Sequence, residues 1–378
     1  MSADQAPAAT ATAGTATGQS MTGARGAINR FGLASIEALR THRLFIAIIV
    51  LYAVGAFAVG RITGHSHVVN INMHMGGFLV LLSAFSLAVV LGHTIWMAVV
   101  VRPEGALFPA IWSDFRTRFL QPSRIAAFLA VVALKPLFFS AFSSYKRMIL
   151  YNNFWHWDPA FRDWDKWLHF GKHPWEWTHA VFGSPFWTSA ISVSYNAWYF
   201  AIFMTFIWQA WSAKRPRLRM QFLYSFIFTW MILGTVFGTM LASGGPVYFD
   251  RIVPGADNPY AALMERLHLI HETHPVWALA VQERLWEVYQ ARGLMLGSGI
   301  SAMPSLHVAT CVLMAVLAWQ YGRIAGIAFT AFAIIIQIGS VHLGWHYSID
   351  GYVSAAVVLI IWFTIGRLLR WREAKSGR

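Results

Sequence analysis

Residues 304–366 read PSLHVATCVLMAVLAWQYGRIAGIAFTAFAIIIQIGSVHLGWHYSIDGYVSAAVVLIIWFTIG. Three apolar blocks, 304–321, 323–343 and 348–366, follow one another through short turns at Tyr321-Gly322 and Leu343-Gly344-Trp345. Each is about 18 or more residues long, enough as a helix to cross a hydrocarbon core of roughly 30 Å. Helices suit lipid because every backbone polar group is satisfied inside the segment. The ionisable groups sit at block ends: His307 at the start of the first, and His346 just before and Asp350 just inside the third.

Five more apolar segments lie upstream, at about 44–62, 77–101, 124–144, 186–211 and 221–243, and Pro136 is expected to kink the third span. Hydrophobic residues make up 57% of the 378 and charged ones only 12%, against about 25% charged in a soluble domain. The expected fold is therefore an all-α polytopic membrane protein of about eight transmembrane helices. The lone cysteine, Cys311, excludes a disulfide framework or a cysteine metal site within one chain.

The net charge of +13 raises the question of nucleic acid, and the placement of the charges answers it. With eight spans both termini share a side. The segments on that side hold 18 of the 29 cations and five of the 16 acids, so the whole excess lies on one face. This is the positive-inside pattern. It places both termini in the cytoplasm of a cell (inner) membrane and His307, His346 and Asp350 at the periplasmic or exterior face, with no nucleic-acid partner.

Residues 1–24 lack both the basic start and the apolar core of a signal peptide and read as a disordered tail. The outer loop 145–185 carries six tryptophans among Asp, Lys and His, a composition suited to short amphipathic helices in the headgroup layer. The second outer loop, 244–303, opens on Gly244-Gly245-Pro246. Loops of this length are often functional.

Burying charge at a membrane requires a reason. His346 and Asp350, four apart, share a helix face, and the short turns should bring His307 to the same depth. Two histidines and a carboxylate suit phosphoryl transfer. A neutral imidazole can attack phosphorus and hold it covalently, an adjacent carboxylate can fix the ring's tautomer, and a second imidazole can pass protons. No metal or other cofactor is required. The helix start at Ser305 offers free N–H groups to a phosphate.

The segments Ser301–His307 and Gly339–His346, the latter followed by Asp350, resemble the second and third motifs of the type-2 phosphatidic acid phosphatase (PAP2) superfamily. The resemblance implies a six-helix core, His346 as nucleophile, Asp350 as its orienting partner and His307 as general acid/base. It divides the chain into a disordered, basic tail (1–43), two additional transmembrane helices (44–123), a PAP2-like catalytic core (124–366) and a basic C-terminal tail (367–378). Ser340 stands where the third motif carries arginine, Leu306 stands for a glycine, and the first motif has no clean copy. Lys146, Arg147 and Arg251 are the candidate replacements for phosphate binding. Leu306, His346-Tyr347, Ser243–Tyr248 and Asp165–His169 are similar to the branch containing inositol phosphorylceramide synthases. The implied activity is that of a lipid phosphatase, or of a transferase passing a phospho-headgroup to a lipid alcohol.

Other readings compete. Asp350 suits a helix cap, and each histidine alone suits interfacial anchoring. His342, His346 and Asp350 also have zinc-compatible spacing, but Leu343 occupies the place of a metalloprotease glutamate. A lipid transporter or flippase would favour ionisable residues at mid-membrane and repeats, which the chain lacks. An inactive PAP2-like scaffold is the remaining alternative.

Overall fold

The computed structural model describes residues 15–152, 155–255, 257–291, 299–375 and 377. Helix α1 (Thr15–Ile62) begins well before its apolar part, because the stretch Leu33–Leu44 is rich in good helix formers and holds no Pro or Gly. Most of the segment expected as a tail is thus helical; residues 1–14 of it lie outside the described residues. Helix α2 (Met75–Trp96) and the short α3 (Leu107–Phe119) follow. The next span is broken into α4 (Pro122–Val132) and α5 (Lys135–Asn152). The break falls at Ala133-Leu134, where Pro136 removes an N–H and crowds the carbonyl four residues earlier.

Helices α6 (Asp158–Leu168) and α7 (Pro174–Phe182) occupy the tryptophan-rich loop. The span α8 (Pro185–Trp211) leads to α9 (Pro216–Thr229), which continues through a wide turn and α10 (Gly238–Met240) as one span. The second long loop holds α11 (Phe249–Ile252), α12 (Ala261–His271) and α13 (Trp277–Gln290). The chain closes with α14 (Leu306–Trp319), α15 (Arg323–His342) and α16 (Ser348–Lys375).

Seven helices among the described residues are long and apolar enough to cross a membrane, rather than the eight expected. The difference is α14. Ser305 caps its start, accepting from Val308 N at 3.4 Å, and it ends before Gly322, leaving 14 residues or about 21 Å. It tolerates that length because α8, α9, α15 and α16 surround it; Val308, Cys311, Leu313, Met314 and Leu317 are all buried. Helix α1 packs along α4 and α5, whereas α2 is largely exposed on its flanks.

The loop helices gather at the end of the bundle where α14 and α16 begin, α7 against α15, α6 against α16, and α12 and α13 against α8. Helix α6 is two-faced. Phe161, Asp158 and Asp165 point inward, while Trp164 and Trp167 lie outward, Trp167 at 78% exposure, with Phe170 just beyond at 92%. An aromatic face turned away from the protein is the arrangement expected of a helix resting in the headgroup layer.

Candidate active site

His346 sits in the turn between α15 and α16. Its backbone N–H donates to the Ser340 carbonyl (3.0 Å), and its Nδ1 lies 3.2 Å from Asp350 Oδ2. The same carboxylate oxygen accepts from Tyr347 N at 3.1 Å. Asp350, fully buried, therefore caps α16 and orients the imidazole with one oxygen; the two roles coincide. Its other oxygen, Oδ1, has no partner among the described residues. Burial, reinforced by the nearby Lys146 charge and partly offset by the Ala302 carbonyl, pushes the His346 imidazole down to about 3. The ring is neutral at ordinary pH, as a nucleophile must be.

His307 stands in the first turn of α14. Its ring stacks on Tyr195 (centroids 4.6 Å apart) and lies 4.0 Å from Trp198. It meets His346 edge-on at 5.8 Å. Ser305 N reaches the Asp350 carbonyl (3.4 Å), tying the starts of α14 and α16 together. The structure thus brings His307, His346, Asp350 and Ser305 to one place, although the Ser305 hydroxyl is engaged as the α14 cap.

The three candidate cations separate. Lys146, on α5, lies within electrostatic range of both imidazoles. Its stem packs so closely on Gly299 that a Cβ there would come within 2.8 Å of Lys146 Cγ. Arg147 points elsewhere: buried, it donates to the Val68 carbonyl at 2.9 Å and fastens the loop after α1. Arg251 pairs with Glu283 at 2.7 Å and covers the Trp286 ring. Nothing brings Arg147 or Arg251 to the imidazoles.

His342 also turns away. It stacks on His179 (3.8 Å) and bonds Thr188 Oγ1 (2.9 Å). Among the described residues no three His, Cys, Asp or Glu side chains form a group able to hold a metal ion.

Much of the support comes from the long loops. Asp165 Oδ2 and Oδ1 accept from Ser348 N (2.7 Å) and Ile349 N (3.0 Å), the first donors of α16. Asp158 accepts from Gly244 N and Gly245 N, both at 2.9 Å, and from the Tyr347 hydroxyl at 2.7 Å. The turn Ser243–Tyr248 joins the remaining pieces. Ser243 accepts from Ala302 N (2.8 Å) through its carbonyl and from Met303 N (3.0 Å) through its hydroxyl, and Val247 N donates to the Gly344 carbonyl (2.9 Å). Gly245 has φ +93° and a Cβ there would lie 2.6 Å from the Trp345 carbonyl oxygen. Only glycine fits there. From α13, Gln282 bonds the Leu343 carbonyl at 2.8 Å.

Burial raises the carboxyls of both α6 acids, against the pull of their backbone N–H donors; Asp165, which also feels the Asp350 charge, goes up to about 7. Sequence reasoning noted Asp165 only within a motif and missed Asp158. The legible signal was their seven-residue spacing, which puts both on one face of a helix otherwise rich in tryptophan.

These features define an integral membrane protein of α-helices with a buried His–His–Asp cluster at one end of the bundle. A sequence model of the PAP2 superfamily matches residues 159–364, more than half of the chain, and the chain belongs to that superfamily. No curated protein and no solved structure matches it. Membership indicates a membrane phosphatase-type function, within a family of phosphatases and phosphotransferases that act on lipid phosphates.

Proposed function

We propose that the chain cleaves a lipid phosphate or phosphodiester through a phosphohistidine on His346. The observation carrying this reading is the His346 Nδ1–Asp350 contact, which leaves Nε2 as the ring's nucleophilic nitrogen, with a second imidazole 5.8 Å away. His346 Nε2 attacks phosphorus as the bond to the leaving oxygen breaks. His307, protonated once the anionic phosphate is bound beside it, gives that oxygen its proton. Asp350 accepts the Nδ1–H bond and stabilises the positive charge that the ring acquires. In the second half, now-neutral His307 takes a proton from water or a lipid hydroxyl as its oxygen displaces His346. Lys146 stands in for the absent motif arginine as the phosphate's counter-charge.

Transfer to a lipid alcohol, as in the inositol phosphorylceramide synthase-like branch, is the variant beside hydrolysis. The two segments similar to that branch, Ser243–Tyr248 and Asp165–His169, are among those that hold the His346 turn. The 124–366 segment acts as the catalytic core, termini in the cytoplasm and catalytic end outside, a reading supported by the 18 cations that share a side when the short α14 is counted as a crossing.

The test is a labelled phospholipid supplied to purified protein with and without ceramide or diacylglycerol, with acid-labile label trapped on histidine. Acceptor-dependent lipid product supports transfer; release of phosphate or phospho-headgroup that ignores acceptor supports hydrolysis. Wild-type turnover by His346→Ala would falsify both.

A further inference from the structure

The end of the bundle opposite His346 holds a groove of about 490 Å³ that the proposed chemistry does not use. The start of α9 supplies Arg215, Arg217 and Leu218, and the far part of α16 supplies Trp362, Phe363 and Arg370. Twenty residues of α16, about 30 Å of helix, separate Arg370 from Asp350. Nothing seated here can reach the imidazoles.

The lining has two chemistries. Three guanidiniums line the groove. Arg217 meets Glu373 at 3.3 Å, but neither Arg215 nor Arg370 has a carboxylate within ion-pair distance among the described residues. Arg215 is instead held in place, donating to the Gln320 carbonyl and lying over the Tyr321 ring at 5.0 Å. Its backbone is left-handed, φ +55°, so a conformation unusual for a residue with a side chain is kept at this position. Beside them lie apolar side chains, Leu218, the buried Trp362 and the outward Phe363, the last two on α16, which is largely exposed along its length. Basic pockets between transmembrane helices at one membrane surface are suited to anionic lipid headgroups.

We infer that this groove binds an anionic phospholipid of the leaflet opposite the catalytic end, its phosphate among Arg215, Arg217 and Arg370 and its chains over Leu218, Trp362 and Phe363. A free phosphate would use the guanidiniums alone and leave the apolar lining unused. A zwitterionic lipid would bring its own cation against the arginines. The lipid is a resident ligand and not the substrate.

The full-length protein, stripped of lipid in detergent, is titrated with phosphatidylglycerol and with phosphatidylcholine and its bound lipid counted by native mass spectrometry. One phosphatidylglycerol should bind in clear preference to phosphatidylcholine. In the double variant Arg215→Gln/Arg370→Gln its affinity should fall roughly 30-fold, about five- to sixfold per cation, while Arg215→Lys/Arg370→Lys should recover most of it. Inorganic phosphate at equal concentration should not displace the lipid. Unchanged affinity in the glutamine variant, equal binding of the two lipids, or displacement by phosphate would each overturn the assignment. If the glutamine variant is destabilised, the comparison passes to Arg370→Gln alone, for which a five- to sixfold loss is expected and no loss is the refuting result.

Discussion

At His346 one ring nitrogen is engaged by Asp350, and the proposed mechanism gives the attack on phosphorus to the other. Asp350→Asn keeps the shape of that contact but permits the wrong tautomer, so turnover should drop by about 10³-fold or more, with substrate affinity little changed. A kcat within tenfold of wild type would remove Asp350 from the mechanism. His307→Gln should cost about 10²–10⁴ in rate, and a leaving group that needs no proton should restore much of the loss. Asp165 gives a pH signature. Its folded carboxyl lies near 7 against an ordinary 3.8, so between about pH 4 and 7 the native chain holds protons that the unfolded chain has lost. Stability therefore falls as pH rises through that window. Asp165→Asn should flatten the slope in thermal unfolding between pH 4 and 8, leaving the part due to Asp158, and identical slopes would refute the link.

Helix α6 joins two surroundings in 11 residues. Its outer face carries aromatics suited to the headgroup layer, and its inner face carries the carboxylates that hold the turn bearing His346. Anions at the start of α16 answer both its orphan N–H groups and its dipole. Asp165→Ala leaves Ser348 N and Ile349 N without acceptors. It should cost about 1–3 kcal/mol and raise amide exchange specifically at residues 347–350; Asp165→Asn, which still accepts, should do less. Uniform exchange across the chain would place the effect elsewhere. The shortness of α14 belongs to the same scale. Hydropathy marks where apolar residues run, but the helix ends where Ser305 caps it and where Gly322 lets the chain turn, and neither event alters hydropathy.

For the whole molecule the distribution of cations makes a directional prediction. Cys311, the only cysteine in the sequence, is buried, so single exposed cysteines report topology without interference. Lys172→Cys, beside the catalytic end, should react with a membrane-impermeant thiol reagent on intact cells. Lys214→Cys, at the opposite end, should react only after permeabilisation. The reverse pattern would invert the proposed orientation.

Composition, the length of the apolar blocks and the position of ionisable groups at their ends were enough to determine a helical membrane protein and to single out His307, His346 and Asp350. Lipid excludes unpaired backbone and unneeded charge, so those constraints are written along the chain. Three-dimensional packing alone decided that Lys146 comes within electrostatic range of the imidazoles while Arg147 turns to the Val68 carbonyl, although the two are neighbours in sequence. It alone decided that Asp158 and Asp165 reach from one loop to glycines and helix donors 86 and 183 residues away. Such contacts depend on which way a helix is rotated and on which loops fold back over the bundle end. Both are set by the sum of many distant side-chain fits, which no local pattern of residues records.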